Sequence, residues 1–250
     1  MRRSSRRTFL ALATASLATL GGGAAYRVGR YKTPVKREPD LTRIKLNLIA
    51  SEAKRSDQAR VLLIGNSATI RGRFFDRLQE EAGTGVHFAR ASANGARLVQ
   101  SVRIAGLRTL VQQIPWDAVV LQDFSSMPLH PADRLGSRLA ISHFARLASP
   151  APIVLFPHWP SAAGHRVYRG TLGTGFAIPA DPSDYAERAE AHYLRCARQI
   201  NGTVAPVLPA WIAALRRGEA LYARDKHHAS PAGAALAAAT LWPAIRASLG

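Results

Sequence analysis

The stretch 58-QARVLLIGNSATIRG-72 decides how the rest of the chain is read. Val61 to Gly65 is a short unbroken apolar run, the pattern of a strand buried on both faces. Asn66 and Ser67 interrupt it, and a helical pattern starts directly behind them. Ser67 then has two readings. A serine ahead of a helix is a common N-cap, accepting from the first free backbone N–H groups. A serine just past a buried strand also holds its hydroxyl at the carboxyl edge of a sheet. The helix N-terminus behind it supplies unpaired N–H groups and a positive dipole end, the parts needed to hold an oxyanion.

The same alternation continues along the chain. Apolar runs at 61–65, 86–90, 117–122, 152–156 and 203–208 are separated by stretches with apolar residues at helical spacing. The helical stretches are 68–83, 96–114, 132–148, 184–200 and 209–218, and a last helix opens on the cap-and-proline pair Ser230-Pro231. Strands alternating with helices predict an α/β protein, a five-stranded parallel sheet with helices on both faces, hence three layers. In such sheets the ligand site lies beyond the carboxyl ends of the strands. Residues that carry chemistry are therefore expected just after 65, 90, 122 and 156, and ahead of the last helix.

A chain of 250 residues suits one well-buried domain, and 47% hydrophobic against 20% charged residues is the balance of a globular protein rather than a disordered one. Residues 1–25 stand apart. Arg6 and Arg7 follow Ser5 and precede Phe9 and Leu10, a mildly apolar run reaches Leu20, and small residues end at Ala25. This resembles a twin-arginine export signal, and it implies a periplasmic or extracellular protein that crosses the membrane already folded. The alternative is an uncleaved N-terminal anchor, although the run is short for a membrane span. Once the signal is removed, no stable membrane insertion is expected. Residues 26–57 read as a basic linker with a short helix around Leu41–Lys54, and 58–250 as the domain. A single cysteine, Cys196, allows no disulfide within the chain.

The formal net charge is +18. Setting aside Arg2, Arg3, Arg6 and Arg7 still leaves 30 of the 34 basic residues against 16 acidic ones. Such a surface favours anionic partners such as acidic polysaccharide or lipid headgroups; an arginine-rich coding bias is the plainer explanation. With no RNP-like, zinc-finger or helix-turn-helix signature, nucleic acid is not an expected partner.

The far end of the chain bears on Ser67. In 224-RDKHHASPAG-233, Asp225 stands three residues before His228, directly ahead of a helix. A serine hydroxyl is a weak nucleophile until an imidazole takes its proton, and the imidazole needs a carboxylate on its other nitrogen. Asp and His three apart on one loop can make that contact, freeing the second imidazole nitrogen for a serine elsewhere. His227 competes by adjacency, and His158, close to a strand end, is a rival base. Asp225, His227 and His228 could instead form a metal site, but no further ligand motif accompanies them. Cys196 reads as a packed helix residue rather than a nucleophile. The loop 157–182 overhangs the same edge. His158, Trp159, Arg166 and Tyr168 on it are candidates to bind substrate, against the reading of an ordered surface loop.

Taken in order, "IGNS" after the first strand, Gly95 after the second, Gln122 ending the third and "DxxH" before the last helix resemble the SGNH (GDSL-like) hydrolase superfamily. The resemblance spans about residues 60–245 and implies a flavodoxin-like sheet. It implies Ser67 as nucleophile and Asp225 and His228 as its partners. The oxyanion would be held by the backbone N–H groups of Ser67 and Gly95 and by the side-chain amide of Gln122. It implies no cofactor and no metal, and an esterase acting on a small-molecule or glycan ester, with an O-acetyltransferase or a glycan-binding protein as the alternative. Two positions depart from the family pattern. Asn66 replaces the aspartate of "GDS", and Gln122 replaces an asparagine. Asp123 follows with no assigned role.

Overall fold

The structure, a computed structural model, describes residues 45–169 and 178–250. The signal segment 1–25 lies outside them, as do most of the linker and the middle of the loop 157–182.

The sheet has five parallel strands in the order β2-β1-β3-β4-β5. They are β1 (Ala59–Gly65), β2 (Val86–Ser92), β3 (Ala118–Leu121), β4 (Ile153–Leu155) and β5 (Thr203–Val204). Each central strand has a helix layer on either side, so its side chains divide by parity. Leu62 and Ile64 join one apolar cluster with Val119, Leu121, Ile153 and Leu155. Val61 and Leu63 join the other with Val86, Phe88, Val120 and Val154. Val61, Leu62, Leu63 and Ile64 are all fully buried, and each contributes about 1.5–3 kcal/mol by leaving water.

On the first face pack α1 (Leu46–Arg55), α4 (Leu98–Ser101), α5 (Ala105–Gln113), α6 (Pro131–Ala148) and α7 (Pro182–Ile200). On the second pack α3 (Phe74–Ala82), α8 (Val207–Arg216) and α9 (Pro231–Ser248). The one-turn helix α2 (Ser67–Ile70) directly follows β1. None of the described helices is long and apolar enough to cross a membrane.

Four sequence expectations are corrected. Helix α1 occupies the end of the stretch read as linker, yet Ile49 and Ala53 are buried in the first cluster, so the domain begins before residue 58. The helix expected over 68–83 is two helices, because Gly72 and Arg73 both adopt left-handed backbone (φ 68° and 60°) between α2 and α3. The helix expected over 96–114 is likewise split into α4 and α5, with Val102–Ile104 between them. The fifth strand stops at Val204. Ala205 still donates to Leu155, but Pro206 has no N–H and α8 starts at Val207.

The helix starts follow local chemistry. Ser230 accepts from the N–H of Gly233 with Pro231 in the first turn of α9. Asp181 accepts from Ser183 and Asp184 at the start of α7. The strand order places the topological switch at β1: the chain steps to one side for β2 and back across to the other for β3. In open α/β sheets ligands bind at such a switch point, beyond the carboxyl ends of the strands. Ser67 follows β1, and Gln122 follows β3.

Candidate active site

The N-cap of α2 is Asn66, not Ser67. Asn66 Oδ1 accepts from the N–H of Ala68 at 3.1 Å, which leaves the Ser67 hydroxyl for other work. Asn66 itself is buried and fully engaged. Its backbone N–H donates to Gln122 Oε1 (3.0 Å), and its Nδ2 donates to the carbonyl of Ala96 (3.2 Å). Ala93–Ala96 is a tight turn closed by Ala96 N–H to the Ala93 carbonyl, with Gly95 at φ 73°. Asn66 therefore ties the Ser67 turn to the turn that carries Gly95. An aspartate here could cap α2 but has no proton for the Ala96 carbonyl. That is the physical reason for asparagine in this chain. The backbone N–H groups of Ser67 and Gly95 donate to no group among the described residues.

Asp225 and His228 sit on a loop closed by the Tyr222–Ala229 bridge and by Ser230 N–H to the Leu221 carbonyl. Within it, Asp225 Oδ1 accepts from the N–H of His227 (3.0 Å) and of His228 (2.9 Å). These bonds aim Oδ2 at His228 Nδ1, 2.5 Å away. The opposite ring nitrogen, Nε2, lies 3.0 Å from Ser67 Oγ. Since Asp225 accepts the Nδ1 proton, Nε2 is the acceptor that faces the serine. Burial pushes the Asp225 carboxyl up. The bonds from the His228 ring and from the two backbone N–H groups outweigh it, holding the carboxyl well below its usual range. The arrangement can draw a proton from Ser67 and stabilise the imidazolium that results.

The neighbouring histidines have other tasks. His227 Nδ1 lies 2.8 Å from Ser161 Oγ, and its ring stacks between His158 and His165. His158 is 2% exposed, with Nδ1 2.5 Å from the carbonyl of Trp159. Burial, reinforced by the neighbouring His227, holds its imidazole well below the ordinary value. Neither ring takes the place of His228 against Ser67. Asp225, His227 and His228 do not converge on a point that could hold a metal, and no such cluster occurs among the described residues.

The described start of the loop 157–182 is a strap over the Asp225–His228 loop. Trp159 Nε1 donates to the His227 carbonyl (2.9 Å), and Ala162 N–H donates to that of Lys226 (2.8 Å). Tyr168 donates to the Ser161 carbonyl, while Tyr222 donates to that of Pro160 and itself accepts from Trp211. Trp159 is buried and stacked on Trp211 at 4.8 Å. This corrects the expectation for Trp159 and His158, which brace the strap from within. Tyr168 is half-buried with its hydroxyl engaged, and Arg166 is exposed. Ser161, Tyr222 and Trp211 were not foreseen, because their partners are remote in sequence and no spacing signals the contacts.

Gln122 is also corrected. The expected oxyanion donor is 1% exposed, with Oε1 engaged by Asn66 and Nε2 donating to the Asp123 carbonyl. It braces the Ser67 turn from beneath. Asp123, fully buried, accepts from Leu98 N–H, Phe124 N–H and Ser137 Oγ. Burial raises its carboxyl despite those bonds. Gln122→Ala would leave the Asn66 N–H and the Asp123 carbonyl buried without partners, each costing about 1–3 kcal/mol. We expect the thermal midpoint to fall by roughly 4–8 °C per 2 kcal/mol lost, with hydrolysis lost in parallel. A variant as stable as the parent with only turnover reduced would restore the oxyanion-donor reading.

Cys196 is buried in α7 with its thiol pushed up to about 12 by burial, a packed residue. His192 and His227 are both lowered to about 4, by burial first and then by neighbouring positive charge. Each is neutral when folded and binds a proton on unfolding between about pH 4 and its ordinary 6.5. Their contribution to stability is thus complete above pH 6.5 and is lost as pH falls towards 4. The unfolding free energy from urea titration should drop across that window, by up to about 1.36 kcal/mol per pH unit for each proton. His192→Gln should flatten the slope by nearly one proton; an unchanged slope would refute the assignment.

A serine, an imidazole and a carboxylate in line at the carboxyl edge of a parallel sheet define the class: an α/β protein of hydrolase type. Solved structures similar to the chain specify it further. One is a candidate SGNH hydrolase from Slackia heliotrinireducens, 27% identical, with a TM-score of 0.61 over 76% of this chain and 100% of that one. Another is the lipase/acylhydrolase from Enterococcus faecalis, at 14% identity and a TM-score of 0.54 over 77% of this chain and 96% of that one. A third is the psychrotrophic esterase EstA from a Pseudoalteromonas species, at 12% and 0.51 over 77% and 99%. No protein-family model and no curated protein sequence matches the chain. The second and third share the fold; the fold together with the first neighbour places the chain in the SGNH (GDSL-like) hydrolase superfamily and supports a hydrolase-type function.

Proposed function

We propose that the protein is an exported serine ester hydrolase in which Ser67, His228 and Asp225 form the catalytic triad. The observation that carries this is the continuous line from Asp225 Oδ2 through His228 to Ser67 Oγ, with contacts of 2.5 and 3.0 Å. Ser67 Oγ attacks the ester carbonyl as its proton passes to His228 Nε2. The backbone N–H groups of Ser67 and Gly95 hold the oxyanion. Its collapse breaks the bond to the leaving oxygen, which takes the proton from His228. Water, deprotonated by the same imidazole, then attacks the acyl-serine and regenerates Ser67. Residues 1–25 would direct the folded chain to the periplasm or beyond, where an acyl or acetyl ester, including one on a glycan, is the substrate.

A fluorophosphonate probe followed by peptide mass mapping tests the nucleophile. Modification at Ser67 is expected, and labelling of any other residue, or of none, would refute the triad. Acetyl transfer to a glycan faster than to water would instead make the same site an O-acetyltransferase.

A further inference from the structure

Away from the Ser67 edge, a cleft of about 340 Å³ runs between α6 and α7. Arg134 and Arg138 line it from α6, and Arg188, Arg195, His192 and the carboxylates Asp184 and Glu187 from α7. Arg188 is bound to Asp184 through two of its nitrogens. Among the described residues, no carboxylate lies within ion-pair distance of Arg134, Arg138 or Arg195. The Nε of Arg138 is buried and donates to nothing there. All three line the same cleft as His192, whose imidazole is lowered by burial first and then by their positive charge.

Four guanidinium groups facing two carboxylates leave the cleft with excess positive charge, three of the four without an ion-pair contact among the described residues; such groups repel one another, and desolvating an unused donor adds to the cost. An anion with several acceptor oxygens relieves both. Guanidinium forks suit the oxygens of a phosphate or sulfate better than a lone carboxylate would. His192 adds no charge at neutral pH. Its Nε2 faces Ser137 Oγ at 3.2 Å.

We propose that the α6–α7 cleft is a binding site for a tetrahedral oxyanion, a phosphate or sulfate group carried on a soluble ester or on a lipid headgroup. The excess positive charge of the sequence thereby acquires a specific place. Leu135, Leu139 and Leu194, each at least 43% exposed, follow or precede these arginines in sequence. Such apolar neighbours are why the headgroup source belongs in the test. The site is independent of the Ser67 assignment.

Titration calorimetry with inorganic phosphate at physiological ionic strength tests the proposal. Binding should saturate, compete with sulfate, and weaken at least about tenfold in the Arg138→Gln/Arg195→Gln double variant. The Arg216→Gln/Arg246→Gln pair, which removes equal charge from α8 and α9, should bind like the parent. So should Ser67→Ala. The thermal midpoint of each variant without phosphate reports that it is folded. Co-sedimentation with vesicles of equal parts phosphatidylcholine and phosphatidylglycerol separates the two sources. Cleft-dependent vesicle binding that free phosphate displaces identifies a headgroup; phosphate binding without vesicle binding identifies a soluble ester. Absence of saturable phosphate binding, or equal weakening by both double variants, overturns the site.

Discussion

Ser67→Ala is expected to lower hydrolysis of a short-chain nitrophenyl ester by at least about 10⁴-fold while leaving the fold intact. The hydroxyl makes one side-chain contact, with His228, and the turn that holds it is built by other groups. Asn66 caps α2, Gln122 supports Asn66, and Thr69 Oγ1 donates to the Asn66 carbonyl. Removing one oxygen at a partly exposed position should therefore shift stability by no more than about 0.5 kcal/mol. The backbone N–H groups of residues 67 and 95 remain, so a residual rate above that of water is expected. Fluorophosphonate labelling should vanish with the activity. Unchanged ester hydrolysis in this variant would remove Ser67 from the mechanism, and with it the reason for Asp225 and His228 to face that edge.

The class of fold was legible because a parallel sheet covered on both faces writes itself as short apolar runs with turns between them. Val61–Ile64 is the clearest case, and its parity splits cleanly between the two core clusters. Asp225 and His228 were legible because their contact is local and the helix behind them begins on a strong cap signal. The pairing with Ser67 spans 161 residues and came from strand-end logic and family resemblance rather than from spacing.

What escaped was tertiary. Nothing local says that Gln122 turns its amide inward to Asn66 and Asp123 rather than outward to a substrate. Nor does the aromatic character of Trp159 reveal that its indole packs on Trp211, 52 residues later, and donates to a carbonyl of the Asp225–His228 loop. The two helix breaks failed for a different reason. Apolar periodicity continues across 68–83 and 96–114, and only the backbone angles show the interruptions.

Asp225→Asn should cost about 10⁴ in kcat with little change in KM. The substitution separates two tasks of one side chain. Oδ1 caps the N–H groups of His227 and His228 and so shapes the loop; an asparagine carbonyl oxygen can keep both bonds. Oδ2 accepts the Nδ1 proton of His228, and an NH₂ group in its place cannot. It presents a donor to Nδ1, so the ring is pushed to the tautomer that carries its proton on Nε2, facing Ser67, where it cannot act as a base. The negative charge that stabilises the imidazolium is also lost. The strap contacts from Trp159 and Ala162 go to the carbonyls of His227 and Lys226 and are unaffected, so the loop should stay in place. Asp225→Ala, which removes the cap as well, should lose both activity and stability. The two variants together therefore distinguish orientation of the base from support of the loop. Activity within tenfold of the parent in Asp225→Asn, alongside an inactive His228→Ala, would show that the imidazole works without this carboxylate, and the triad would reduce to a Ser67–His228 dyad.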